Sequence, residues 1–309
     1  MIQYETFVPL YITNTCDSNC TICNMRKQNN KIKRVKPNKN KIVEQLEIIL
    51  YTEGISAVCI LTGEYAELVV RKNNIQLIIW TIEKAFSMGF NKVFFNIGSL
   101  YDEEIQIFSE RFGNEERLVL SLFQETYDKK CYERYFGKYN IHNPKSDFKR
   151  RLSTPERFIN AGFKQVDIGI LVGLNDIDFE IDRLISHINL LKDKTEVIYV
   201  SLPRTCGVDN VEKSVSDKKY KEIIKLLFNT HSKIKLIITT REEIKMIKEL
   251  LPYIHVISPG CSDVLPYTNS GKITNSIDTS QFQVKPLRDR PSEILNALPI
   301  KNDILYYDV

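Results

Sequence analysis

The sequence predicts an α/β fold of the TIM type, a (β/α)8 barrel, on three observations: buried strands alternate with amphipathic helices, glycines stop several helices, and unusual polar residues collect just after the strands. Residues 7–12 form the first apolar strand and run straight into a cysteine-rich loop. Ile42, Val43, Leu46, Ile49 and Leu50 share one helical face, Gly54 closes that helix, and residues 55–61 read as a buried strand. The unit recurs as helix 75–88, Gly89 and strand 93–97, then as helix 103–112, Gly113 and strand 118–123. A helix ending at Ala161 and Gly162 precedes strand 166–171, helix 179–191 precedes strand 197–202, helix 220–228 precedes strand 234–238, and helix 242–250 precedes strand 254–257. The expected division is a barrel over residues 1–261, with 262–309 packing on it as part of the same domain.

The chain is long enough to bury a large core, at 309 residues and 43% hydrophobic. Its 43 basic and 39 acidic residues are interspersed, which reads as solvated faces and not as a nucleic-acid or membrane surface; residues 27–41 are the one basic exception. No secretory signal and no long apolar run stand in the sequence, so a cytoplasmic protein is expected. Seven cysteines, three clustered and four scattered, fit a reducing compartment better than a disulfide framework.

In such barrels the chemistry sits at the carboxyl ends of the strands. Here strand one is followed by Cys16, Cys20 and Cys23, strand two by Gly63 and Glu64, strand four by Glu125, strand five by Gly173 and Leu174, strand six by Arg204, strand seven by Arg241 and strand eight by Ser258. The C-x3-C-x2-C spacing places three thiolates around one loop. A [4Fe–4S] cluster ordinarily takes four cysteines, so a three-cysteine loop leaves one iron open to a ligand. A structural zinc would need a fourth ligand, and the nearest later candidates, Cys59 and His142, stand in no paired motif.

The loop and the Leu10-Tyr-Ile-Thr-Asn14 leading into it resemble the radical SAM superfamily. Phe123-Gln-Glu-Thr-Tyr127, Pro144-Lys-Ser-Asp147, Arg151-Leu-Ser-Thr-Pro-Glu-Arg157, Gly169-Ile-Leu-Val-Gly-Leu174, Thr239-Thr-Arg-Glu242, Ile257-Ser-Pro-Gly260 and Gln281-Phe-Gln-Val284 resemble, in order, segments of its aromatic amino acid lyases. That group includes the tyrosine lyases of thiamine biosynthesis and of [FeFe]-hydrogenase maturation, and a related tryptophan-processing enzyme. The resemblance implies an oxygen-sensitive [4Fe–4S] cluster on Cys16, Cys20 and Cys23 and S-adenosylmethionine on its open iron. It further implies that Gly63 and Glu64 hold the methionyl amine, that Glu125 and Arg151 bind ribose and carboxylate, and that Leu171, Val172, Gly173 and Leu174 line adenine. For the substrate it points to Arg241 and Ser258, with Arg204 as a second carboxylate anchor and Tyr11 as a hydrogen-bond partner.

The implied reaction is reductive cleavage of S-adenosylmethionine to a 5′-deoxyadenosyl radical, followed by cleavage of the Cα–Cβ bond of an aromatic amino acid. For tyrosine, the favoured substrate, the products are p-cresol and dehydroglycine. The implied partners are a small-molecule amino acid, reduced flavodoxin or ferredoxin as electron donor, and a downstream acceptor protein. Ile22 replaces an aromatic residue of the family, and the segments Pro203-Arg-Thr-Cys-Gly207 and Ser258-Pro-Gly-Cys261 depart from its pattern near the substrate. These departures leave two other readings open: the same chemistry on another amino acid or a peptide residue, and an iron–sulfur accessory protein without turnover.

Overall fold

A computed structural model describes residues 4–113, 115–205, 215–260, 263–270 and 290–300. Nine parallel strand segments lie in the order β1-β9-β8-β7-β6-β5-β4-β3-β2. They are β1 (Glu5–Thr6), β2 (Val8–Tyr11), β3 (Ala57–Leu61), β4 (Lys92–Asn96), β5 (Leu118–Ser121), β6 (Gln165–Gly169), β7 (Val197–Ser201), β8 (Ile234–Thr239) and β9 (Val256–Ser258). Only Phe7 separates β1 from β2, and β1 pairs with β9 while β2 pairs with β3. One bent first strand therefore joins both ends of the sheet, and the expected eight-stranded barrel is what forms.

Helices cover the outside: α1 (Lys39–Glu47), α2 (Leu68–Met88), α3 (Asp102–Phe112), α4 (Lys129–Phe136), α5 (Phe148–Asn160), α6 (Ile177–Leu191), α7 (Asp217–Phe228), α8 (Ile244–Leu250) and the short α9 (Pro291–Asn296). Helix α2 begins well before the expected residue 75, because Leu68, Val69 and Val70 are exposed and blur its amphipathic signal.

Strand alternation splits the apolar residues into two cores. Val8, Leu10, Val58, Ile60, Val93 and Phe95 point outward against the helices, while Phe7, Ala57, Cys59, Phe94, Val119, Tyr199, Ile237 and Val256 fill the lumen. The amino end of the lumen is closed by charge, where Lys92 Nζ donates to Gln165 (3.0 Å) and Tyr199 (2.6 Å) and Tyr199 donates to Glu5 (2.8 Å). Following the strand register once around the barrel accumulates an offset of about eight residues, the shear of other α/β barrels. That offset stacks the inward residues in layers of four. Phe7, Phe94, Asp167 and Ile237 form one layer; Cys59, Ser121, Ser201 and Ser258 the next; Pro9, Asn96, Gly169 and Thr239 the one above.

The segments after β9 lie on the barrel. Tyr267 donates its hydroxyl to the Pro9 carbonyl (2.8 Å) and its amide to Gln45 (2.8 Å), and Arg290 and Ser292 bind Glu53 near the start of α9. Cys206, Gly207, Cys261 and residues 281–284 lie outside the described residues.

Candidate active site

The three-cysteine loop leaves β2 and is tied down on every side. Its Asp17 amide donates to the Glu64 carbonyl (2.8 Å), its Thr21 amide to the Tyr135 carbonyl of α4 (2.9 Å), and its Asn19 amide to Asn143 (3.2 Å). Arg34 closes the loop by donating to the carbonyls of Asn14 (2.6 Å), Met25 (2.8 Å), Arg26 (2.7 Å) and Asn29 (3.2 Å). A charge of the basic run 27–41 thus serves as the loop's brace. Gly63 has to be glycine for a related reason: a Cβ there would stand 2.1 Å from the Thr15 carbonyl oxygen and 2.7 Å from Cys16 Cβ.

The amides of Ser18 and Glu64 both point at Cys16 Sγ from 3.4 Å, an arrangement that favours a thiolate ligand. Burial pushes the Cys16 thiol up to about 11 and Cys20 well above its ordinary value, with the Lys145 charge opposing the shift at Cys20. A cationic centre among the sulfurs would reverse that balance. Among the described residues no three His, Cys, Asp or Glu side chains are gathered as for a single metal ion. A cubane binds each cysteine to a different iron, so this loop suits a cluster. Cys59 stands apart in the lumen.

Beside the loop runs a buried chain of charges. Arg151 of α5 donates to Glu64 (2.8 Å), to Glu125 (3.3 Å) and to the Phe123 carbonyl (2.6 Å), and Lys145 donates to Glu125 (2.6 Å). All four side chains are at least nine-tenths buried. Burial raises the Glu125 carboxyl, but Lys145 and Arg151, with Arg241 beyond them, outweigh it and hold the group below the usual carboxylate range. Lys145, for which the sequence motif by itself indicates no role, belongs to this chain of charges. Glu64 Oε2 is buried without a hydrogen-bond partner among the described residues, and Gln124 likewise leaves both side-chain polar atoms unpartnered. Gly98, at φ +86°, lies so close that a Cβ would meet that same oxygen at 2.4 Å. An acceptor held in this way suits a cationic or N–H donor supplied by a ligand.

Leu171 and Leu174 pack with Tyr11, Cys20, Ile22, Cys23, Tyr132 and Phe136 in a third apolar cluster at the barrel mouth. Gly173 makes the turn between them at φ +109°. Val172 does not join them, because strand alternation turns it into the outer core. Tyr11 is held well above its ordinary range by burial, with Arg241 the chief opposing charge. Ser258 sits deeper, beside Thr239. Arg204 is already engaged: its guanidinium forks onto Glu242, also donates to Asp217 (2.7 Å), and lies over the Tyr220 ring. The neighbouring acid that could have occupied Arg241 is thus taken by Arg204.

No family model matches the chain. It is 28% identical over 173 residues to 2-iminoacetate synthase of Salmonella typhimurium, a match over 55% of this chain and 41% of that enzyme. Its fold superposes on HydG, the FeFe-hydrogenase maturase of Carboxydothermus hydrogenoformans, with a TM-score of 0.80 and 26% identity over 95% of this chain and 65% of that one. This chain is a relative of 2-iminoacetate synthase and HydG. Those are the lyase-like enzymes whose motifs its sequence resembles. Methylornithine synthase shares the fold, at a TM-score of 0.66 and 17% identity. The chain spans less than two thirds of the length of the synthase or of HydG.

Proposed function

We propose that this chain is a radical SAM carbon–carbon lyase that cleaves the Cα–Cβ bond of an aromatic amino acid, tyrosine foremost, to p-cresol and dehydroglycine. What carries the reading is the meeting, at the carboxyl ends of the strands, of the three-cysteine loop with the buried Glu64–Arg151–Glu125–Lys145 chain. Dehydroglycine is 2-iminoacetate, the product for which the curated relative is named.

Cys16, Cys20 and Cys23 would hold a [4Fe–4S] cluster, leaving one iron for S-adenosylmethionine. When bound, these groups supply the reductive cleavage that yields a 5′-deoxyadenosyl radical. The protein's part is placement, dryness and charge. Glu64 offers its unpartnered oxygen to the methionyl amine, Arg151 and Glu125 offer a cation and an acceptor to carboxylate and ribose, and Leu171 and Leu174, with the Gly173 turn between them, give adenine an apolar wall. Arg241, whose charge bears on both Tyr11 and Glu125, is the proposed anchor for the substrate carboxylate; Arg204, committed to Glu242 and Asp217, positions the neighbouring loop. Residues 1–261 and 262–309 act as one domain in this proposal. Reduced flavodoxin or ferredoxin would supply the electron, and an acceptor protein would take the product onward. No described helix is long and apolar enough to cross a membrane.

Arg241→Ala tests the substrate half of this reading. It should keep the cluster and slow S-adenosylmethionine cleavage while weakening amino acid binding by about 2–5 kcal/mol, the scale of a broken charge pair closed off from water. Lysine should restore only part, since a point charge cannot fork onto a carboxylate. A larger loss in Arg204→Ala, with Arg241→Ala near wild type, would move the anchor to β7.

A further inference from the structure

Asp167 has no place in the mechanism above. It is 1% exposed, points into the lumen from β6, and pairs with no cationic side chain among the described residues. Its two carboxylate oxygens accept one hydrogen bond each, from the Ser121 hydroxyl (2.6 Å) and from the Ser201 hydroxyl (2.9 Å). A buried carboxylate satisfied only by neutral donors is costly, and it fixes the direction in which both hydroxyls point.

The strand register places Ser121 and Ser201 one layer above Asp167, on the side of the barrel mouth. Burial pushes the Asp167 carboxyl up to about 7 against the two serine hydrogen bonds; above that pH the carboxylate is ionised, both serine hydrogens are committed downward, and what the serines turn toward the mouth is lone pairs. Cys59, the other group beside Ser121, is a weak donor that uses at most one of these. The layer above, Pro9, Asn96, Gly169 and Thr239, holds no large side chain. Gly169 cannot carry one, because a Cβ there would meet the Ser201 carbonyl oxygen at 2.1 Å, and the Phe123 ring, 3.3 Å from the same point, walls that side of the space. Higher still stand Tyr11 and Arg241, on the level of Leu171. Leu171 lies four residues beyond Asp167 and two beyond the end of β6, roughly 13 Å of extended chain; the serines stand about one residue above Asp167, so the span from Leu171 down to them is roughly 10 Å, enough for an aromatic amino acid held at its carboxylate above and at its ring tip below.

We propose that Ser121 and Ser201, oriented by Asp167, form an acceptor-only floor that selects an aromatic amino acid whose ring ends in a hydrogen-bond donor, and so distinguishes tyrosine from phenylalanine. The inference rests on the aromatic amino acid reading and adds the residues that choose among such substrates. Asp167 is a positioning residue: it acts through the serines.

The test is equilibrium dialysis of labelled amino acids, at about pH 8.5 so that Asp167 is ionised, against anaerobically reconstituted protein saturated with S-adenosylmethionine. Tyrosine should bind at least ~100-fold more tightly than phenylalanine, because a site built to accept from a hydroxyl strongly rejects an analogue lacking it. In the unaltered protein 4-aminophenylalanine, which keeps a donor, should side with tyrosine, and 4-fluorophenylalanine, of similar size but without one, with phenylalanine. Ser201→Ala removes an acceptor, and Asp167→Asn releases a serine hydrogen. Each should shrink the tyrosine preference at least ~10-fold, whereas a folding defect would weaken both ligands together and leave their ratio alone. Equal binding of tyrosine and phenylalanine by the unaltered protein, or an unchanged ratio in both variants, would overturn the acceptor floor while leaving the lyase reading standing. Binding of neither amino acid would overturn both.

Discussion

Arg151→Ala is expected to cost the fold about 3–5 kcal/mol and to abolish binding of S-adenosylmethionine, the largest effect of any single charge change in this molecule. The guanidinium is 2% exposed and bridges two carboxylates, Glu64 and Glu125, that are themselves buried. Removing it leaves Lys145 on Glu125 and strips from Glu64 its cation and its hydrogen bond. A carboxylate stranded in that way has to take up a proton or draw in water, and either destroys the site. Arg151→Lys should recover part of the stability, because lysine can reach one acid but cannot span two and the Phe123 carbonyl together. Urea denaturation and equilibrium dialysis against S-adenosylmethionine read the two effects. A loss under ~1 kcal/mol with binding retained would show the chain of charges to be ornamental.

The second large effect is expected at Cys20. Cys20→Ala should remove the iron and sulfide of the reconstituted protein, and with them all S-adenosylmethionine cleavage, while Cys59→Ala should keep the full iron content. Both thiols are buried, so exposure does not separate them. Location does. Cys20 lies in the loop and packs with Cys23 and with Tyr11 at the end of β2, whereas Cys59 lies in the lumen among Phe7, Phe94 and Val119. Losing its sulfur opens only a small void, worth about 1 kcal/mol. Equal iron loss in the two variants would mean that the cluster, if there is one, sits elsewhere.

The barrel was legible because its signals are redundant. Each strand is a short, largely apolar run, every strand after the first is preceded by a helix, and the polar residues at strand ends needed no pattern beyond their position. Helix α4 escaped notice for a physical reason: its buried face is Tyr132, Tyr135 and Phe136 set among lysines, arginine and glutamate, so periodicity in aliphatic residues does not register it. Its one local signal was Asp128, whose carboxylate caps the first turn at Cys131. The roles of Arg34 and Lys145 were hidden differently. Both stand in polar stretches that are normally solvated, and only the closing of the chain brings backbone carbonyls to the first and Glu125 to the second. Arg204 and Arg241 could not be ranked from spacing, since each follows a strand; only the fold shows that Arg204 is engaged by Glu242. The layer of serines above Asp167 follows from strand register, which the sequence carries only implicitly.

The claim that tyrosine is cleaved by radical chemistry on this barrel is tested most directly by product analysis. Anaerobically reconstituted protein would be given S-adenosylmethionine, a reductant and tyrosine, and both organic products would be followed. The account predicts 5′-deoxyadenosine and p-cresol formed together, in comparable amounts, with dehydroglycine recovered as its hydrolysis product. Formation of 5′-deoxyadenosine without p-cresol would contradict the substrate assignment, and absence of 5′-deoxyadenosine from a protein shown to carry the cluster would contradict the account as a whole.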